Sequence, residues 1–185
     1  MAARIACVFV CAMLAGCAIT PPPDTAQLPF AAFGTLDNDT AAAAVAASAF
    51  AAPARTANDP VDGARACAAI DFLAGELSSN PRWIGLSPFT KQQMLQARID
   101  VRQVLAIRPD APSQIVVDAL MQFATAWQYG DQATAMRMLA APVFTLSPQQ
   151  TLKILANLPM IRSANLASLD ATTQMQMGGD MRNFP

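Results

Sequence analysis

Ser87 and Lys91 stand four residues apart, a spacing that brings two side chains together on one helix face. A serine beside a lysine suggests a nucleophile and its base. The acyl-transfer motif needs Ser-x-x-Lys, and here three residues intervene. Ser87 is equally placed to cap a helix. Gly85-Leu86-Ser87-Pro88-Phe89 lacks the second glycine of a nucleophile elbow. The chain contains no histidine. That removes the commonest general base, the commonest zinc ligand and every Ser-His or Cys-His triad.

Carboxylate pairs are sparse. Asp59 and Asp62 fall in the first turn of an expected helix, where they complement its dipole. Asp37 and Asp39 fall in a polar linker. A histidine-free hydrolase would have to assemble distant aspartates, so catalysis is not the expected role. Arg98 and Arg102 share a helix face, and Arg108 follows one and a half turns later. They are the anion-binding candidates, for a phosphate group or a carboxylate, with a solvated face as the plainer reading. Met175, Met177 and Met181 offer soft thioethers suited to Cu(I). With no histidine or free cysteine beside them, neither a metal site nor a cofactor is expected. Cys67 lies on an apolar stripe and reads as a buried, inert thiol. Met136 and Met138 point to different faces and read as filler.

Trp83, Trp127 and Tyr129 are the candidates for a partner surface, because aromatic side chains dominate interface hot spots. Core packing is the competing reading for each. Trp127-Gln128-Tyr129-Gly130-Asp131, followed by Ala135 and Leu139, resembles the helix-turn-helix of a tetratricopeptide repeat. Only one such unit is visible, whereas a stacked array needs about three. A generic helical hairpin is therefore expected.

Twelve basic and 13 acidic residues leave a net charge of −1 over 185 residues. No strong field favours nucleic acid or an anionic surface. Glu76 is the only glutamate, and alanine is abundant.

The N-terminus carries the most specific pattern. Arg4 precedes an apolar run from Ile5 to Leu14, which ends on Ala15-Gly16-Cys17. The run is too short to span a bilayer, which takes about 20 apolar residues. A positive region followed by a short apolar one is the build of a secretory signal. Leu14-Ala15-Gly16-Cys17 resembles the lipobox of bacterial lipoproteins. The resemblance covers roughly the first 20 residues and says nothing of the rest. It implies diacylglyceryl transfer to Cys17, cleavage just before it and acylation, typically by palmitate, of the new N-terminus. Two or more acyl chains make a stable membrane anchor. Ala18 after the cysteine implies sorting to the outer membrane in a Gram-negative host. Cys7 and Cys11 would leave with the signal, so Cys67 would be the only thiol of the mature chain, without a disulfide.

Residues 1–16 therefore read as a signal peptide and 17–58 as a disordered Pro/Ala-rich tether after the lipidated cysteine. Pro21-Pro22-Pro23 suits a stiff polyproline II spacer. Asp39 or Thr40 would cap a short alanine-rich helix over Ala41 to Ala52, with too few large apolar residues to pack firmly. About 40 flexible residues span roughly 35 Å, enough to hold a domain clear of the membrane.

From Asp59 helix signals recur and strand signals do not. Asp59-Pro60 supplies an N-cap and an N1 proline, and Cys67, Ile70, Ala74 and Leu77 follow at helical spacing. Ser87-Pro88 opens a helix with Met94, Ala97, Val101 and Val104 or Leu105 on its apolar stripe. Asp110 would cap a third, carrying Ile115, Val116, Ala119, Leu120, Phe123 and Trp127, and ended by Gly130. Asp131 starts a fourth. Ser147-Pro148-Gln149-Gln150 is a capping box for a fifth. A sixth falls within Ile161 to Gln174, using Leu166 and Leu169. The expected fold is an all-α bundle of five to six short antiparallel helices over 59–176, with a disordered tail over 177–185.

These readings converge on a lipid-anchored, non-catalytic module of the cell envelope. It would sit on the outer membrane facing the periplasm and bind another envelope protein. A carrier of a lipid or small apolar ligand is the alternative.

Overall fold

The computed structural model describes residues 24–34 and 37–182, with side chains to residue 177. The signal peptide and Cys17 lie outside the described residues. Seven helices follow in order: α1 Asn38–Phe50, α2 Pro60–Ser79, α3 Pro88–Val104, α4 Ser113–Gln128, α5 Gln132–Leu139, α6 Pro148–Leu155 and α7 Arg162–Arg182. Single 3₁₀ turns, Pro53–Arg55 and Pro81–Trp83, precede α2 and α3. Among the described residues the extended backbone makes one isolated bridge, Ile107 to Phe144. The all-α bundle is the expected fold, and its additional member is α1, which the sequence reading placed in the tether.

Helix α2 is the centre. It packs against α1, α3, α4 and α6, while α7 closes over α1 and α3, and α5 joins α4 to α6. A helix touched from so many sides must be apolar nearly all round. Ala66, Cys67, Ala69, Ile70, Leu73, Ala74 and Leu77 are all at most 1% exposed. Burying each of the leucines and the isoleucine contributes about 1.5–3 kcal/mol. Asp71 is the one buried charged side chain of α2.

Several helix ends are set by the residues that the sequence marks. Asp59 accepts from the Val61 and Asp62 amides, both at 3.0 Å. Ser147 and Gln150 complete the capping box. Gly130 takes φ +79° at the end of α4, the left-handed conformation expected there. The stripes of α3 and α4 are buried as read, except Ile115, which is exposed, and Trp127, which is half-buried.

Four readings are corrected. First, the packed body begins well before Asp59. Ala42, Ala43 and Ala46 of α1 are fully buried and Phe50 nearly so. Alanine offers little apolar area, but its small side chain lets α1 lie close on α2 and α7. Asp37, not Asp39 or Thr40, is the cap of α1, accepting from the Thr40 amide. Residues 24–27 are strapped across α2 and α4 as well. Gln27 exchanges hydrogen bonds with Gln114, and the Asp24 carbonyl sits so close to α2 that a Cβ on Gly75 would lie 2.5 Å from it.

Second, Asp110 does not cap α4. The Ser113 amide donates instead to the Asp24 carboxylate, 89 residues away in sequence, and Asp110 pairs with Arg108. Third, α7 buries Ala164, Ala167, Ser168, Ala171 and Met175, while Leu166 and Leu169 are 51% and 56% exposed. The alanine face fits the narrow gap beside α1 and α3, and the leucines turn outward. Fourth, α7 continues through Gly178-Gly179 to Arg182, where a tail was expected.

Candidate functional site

Arg102 and Arg98 sit one turn apart on α3, yet meet different surroundings. Arg102 is 7% exposed and faces Asp71 of α2. Its Nε donates to Asp71 Oδ2 at 2.7 Å and its Nη2 to Oδ1 at 2.8 Å, a two-pronged pairing. Nη2 also donates to Ser113 Oγ at 2.9 Å, and Nη1 to the carbonyls of Ala111 at 2.8 Å and Pro109 at 3.5 Å. A guanidinium has five N–H donors, and all five are engaged. Burial works against the Arg102 charge, but the bonds and charge of Asp71 outweigh it and raise its pKa. Arg102 is thus no anion receptor. It ties α2, α3 and the 109–113 turn together.

Arg98 is half-buried beside this knot. Its Nη1 donates to the Asp24 carbonyl at 2.9 Å and to Ser113 Oγ at 3.2 Å. Both acceptors are neutral. Burial lowers its pKa, with the nearby Asp71 charge acting the other way. Arg98 opens on a half-open cleft of about 500 Å³, lined by Ile99, Ala106, Ile107 and Pro109 with Arg102 and Arg108 at its edges. A smaller cleft of about 330 Å³, bounded by Asp24 and Pro112, shares Arg98, Arg102 and Pro109. The bridge between Ile107 and Phe144, with the Thr145 amide donating to the Ala106 carbonyl at 3.0 Å, fixes this wall. Arg108 is exposed and paired with Asp110 at 2.5 Å, which raises its pKa.

A second surface lies between α3 and α7. Phe89 is 68% exposed beside the outward Leu166 and Leu169, and the three border a groove of about 470 Å³. Its polar seam is closed on itself. Thr90 donates to Asp170, Gln174 Nε2 donates to Thr90 Oγ1 at 2.5 Å, and the Ser87 amide donates to Gln174 Oε1 at 3.0 Å. Gln93, which also lines the groove, has a buried amide oxygen with no hydrogen-bond partner. Such an acceptor costs about 1–3 kcal/mol while unmatched.

The aromatic candidates separate. Trp83 is 5% exposed and its Nε1 donates to Asp39 Oδ2 at 2.9 Å, so it is a core residue and not a partner surface. Arg82 stacks on its ring at 4.5 Å and pairs with Asp37 and Asp39. Those bonds hold Asp37 at about 2, whereas burial raises Asp39 and Glu76. Trp127 is half-buried with its ring 5.7 Å from Phe123, and Tyr129 is 84% exposed.

The remaining motifs do not assemble chemistry. Ser87 Oγ accepts from the Phe89 amide at 3.2 Å as the cap of α3, and no hydrogen bond joins it to Lys91 among the described residues. Cys67 is buried, and that burial, with Asp71 one turn on, pushes its thiol pKa up. Met175 is buried while Met177 is exposed, so the two do not share a site, and the Met181 side chain lies outside the described ones. No group of three acidic or thiol side chains is placed to hold a metal ion among the described residues. Nothing in the sequence marked the α3–α7 groove, since Leu166 and Leu169 read as core. No family model matches the chain, and neither a curated protein nor a solved structure does.

Proposed function

We propose that this chain is a lipoprotein of the bacterial cell envelope, anchored through acylated Cys17. Its helical body is a non-catalytic module that binds another envelope protein. The observation that carries the binding role is the apolar face left open on α7 and α3: Leu166, Leu169 and Phe89 around one groove. Singly exposed leucines are ordinary, but three large apolar side chains bordering one groove suit a partner helix or strand.

The packed N-terminal segment changes how the anchor would act. Asp24 already lies on the body, and only seven residue steps separate it from Cys17. Such a linker reaches at most about 25 Å. The body is then held close to the membrane surface instead of clear of it.

Two independent readouts test this. The chain, produced in a Gram-negative host fed labelled palmitate, takes up label and sediments with membranes, and Cys17→Ala abolishes both. Retention of one envelope protein in near-equal amount by the full chain is lost on Leu166→Glu with Leu169→Glu, both exposed sites. A native chain that takes up no label, or label uptake that survives Cys17→Ala, refutes the anchor. Retention unchanged by the double substitution refutes the groove.

A further inference from the structure

The arginine cleft has chemistry that the protein-binding groove does not use. Three guanidinium groups reach it, and two are matched: Arg102 by Asp71 and Arg108 by Asp110. Arg98 is not. Its hydrogen-bond acceptors are a carbonyl and a hydroxyl, and the nearby carboxylates are engaged elsewhere, Asp71 by Arg102 and Asp24 by the Ser113 amide. Its Nε and Nη2 donate to no protein group among the described residues and are not among the buried polar atoms lacking a partner, so they face solvent. Half of a guanidinium fork is thus open beside an apolar wall. The open edge of a planar fork suits the two oxygens of a carboxylate. The lining of Ile99, Ala106, Ile107 and Pro109 calls for an aliphatic body next to that head. The volume of about 500 Å³ falls within the range of small-molecule sites.

We infer that this cleft binds a single-chain aliphatic carboxylate, its head on Arg98 and its chain along Ile99, Ala106 and Ile107. A phosphate monoester carries about −1.5 to −2 at neutral pH and would be repelled more strongly than a carboxylate by Asp24, which lies beside Arg98. The site does not depend on acylation of Cys17 or on the α3–α7 groove. Asp24 borders the adjoining smaller cleft.

Calorimetric titration of the full chain, made as Cys17→Ser to exclude a resident acyl group, tests the assignment. Dodecanoate below its micelle concentration is the probe. Dodecanol, acetate and dodecyl phosphate separate tail from head. Saturable binding of one dodecanoate is expected, weakened at least tenfold by Arg98→Gln and several-fold by Ile99→Ser. Ile99 is 58% exposed, so that variant keeps its fold even if Arg98→Gln does not. Weak binding of dodecanol and of acetate supports the paired recognition of head and tail. Dodecanol binding as tightly as dodecanoate overturns it, as does tighter binding of dodecyl phosphate. So does affinity unchanged by both substitutions, or no saturable binding at all.

Discussion

Removing Arg102 should destabilise this protein about as much as truncating a large core side chain. In Arg102→Met the side-chain volume is nearly kept, but the Asp71 carboxylate, 2% exposed, loses its cation. Orphaning one member of a buried ion pair costs about 3–5 kcal/mol. Total stability of a domain this size is about 5–15 kcal/mol, so the variant keeps a fold with little reserve. With a urea slope of about 1–3 kcal/mol per molar, the unfolding midpoint should fall by roughly 2 M, read by helical circular dichroism. The double variant Arg102→Met with Asp71→Leu carries the argument. If the cost lies in the stranded charge, removing both charges restores most of the stability, leaving the double variant above the single one. A double variant no more stable than Arg102→Met would refute that account. The cost would then lie in the lost ties to the Ala111 carbonyl and Ser113 Oγ. Arg98→Met, which strands no carboxylate, should cost under about 1 kcal/mol in the same assay.

Two further perturbations probe other parts of the fold. In Gly63→Ala the new Cβ would lie 2.1 Å from the Leu155 carbonyl oxygen, so overpacking of about 1–3 kcal/mol outweighs the gain of about 1 kcal/mol in helix propensity, and a raised melting temperature would contradict the close α2–α6 contact. Asp37, held at about 2 by Arg82, contributes stability that is fully present above its ordinary value of 3.8 and is lost as pH falls toward 2. Both side chains are about 40% exposed, so solvent screening keeps this below about 1 kcal/mol. The stability difference between the native chain and Asp37→Asn should therefore shrink between pH 4 and 2, and a difference that grows there would reverse the sign of the argument.

The caps at Asp59, Ser147 and Asp131 were legible because each is a bond between residues two or three apart. The stripes of α3 and α4 were legible because large apolar residues recur at helical spacing. α1 was not, because alanine has no large side chain to declare which face is buried. Its packing depends on small residues meeting a close neighbour. The same holds for α7, whose alanine face went inward. Trp83 stood as a partner-surface candidate with core packing as its competing reading; packing decided for the core, and its Asp39 partner lies 44 residues earlier, where no local pattern announces it.

What the sequence determined alone is the helical class, most helix ends and the exclusion of histidine chemistry. These depend on residue type and short spacing. The tertiary structure decided what faces what. Arg98 and Arg102 are the same residue on the same face of one helix, one turn apart. Only Asp71, brought from α2, separates them into a guanidinium fully held by the protein and one left open beside an apolar cleft. A charge is defined by its partners as much as by its chemistry, and those partners are supplied by the packing of distant segments.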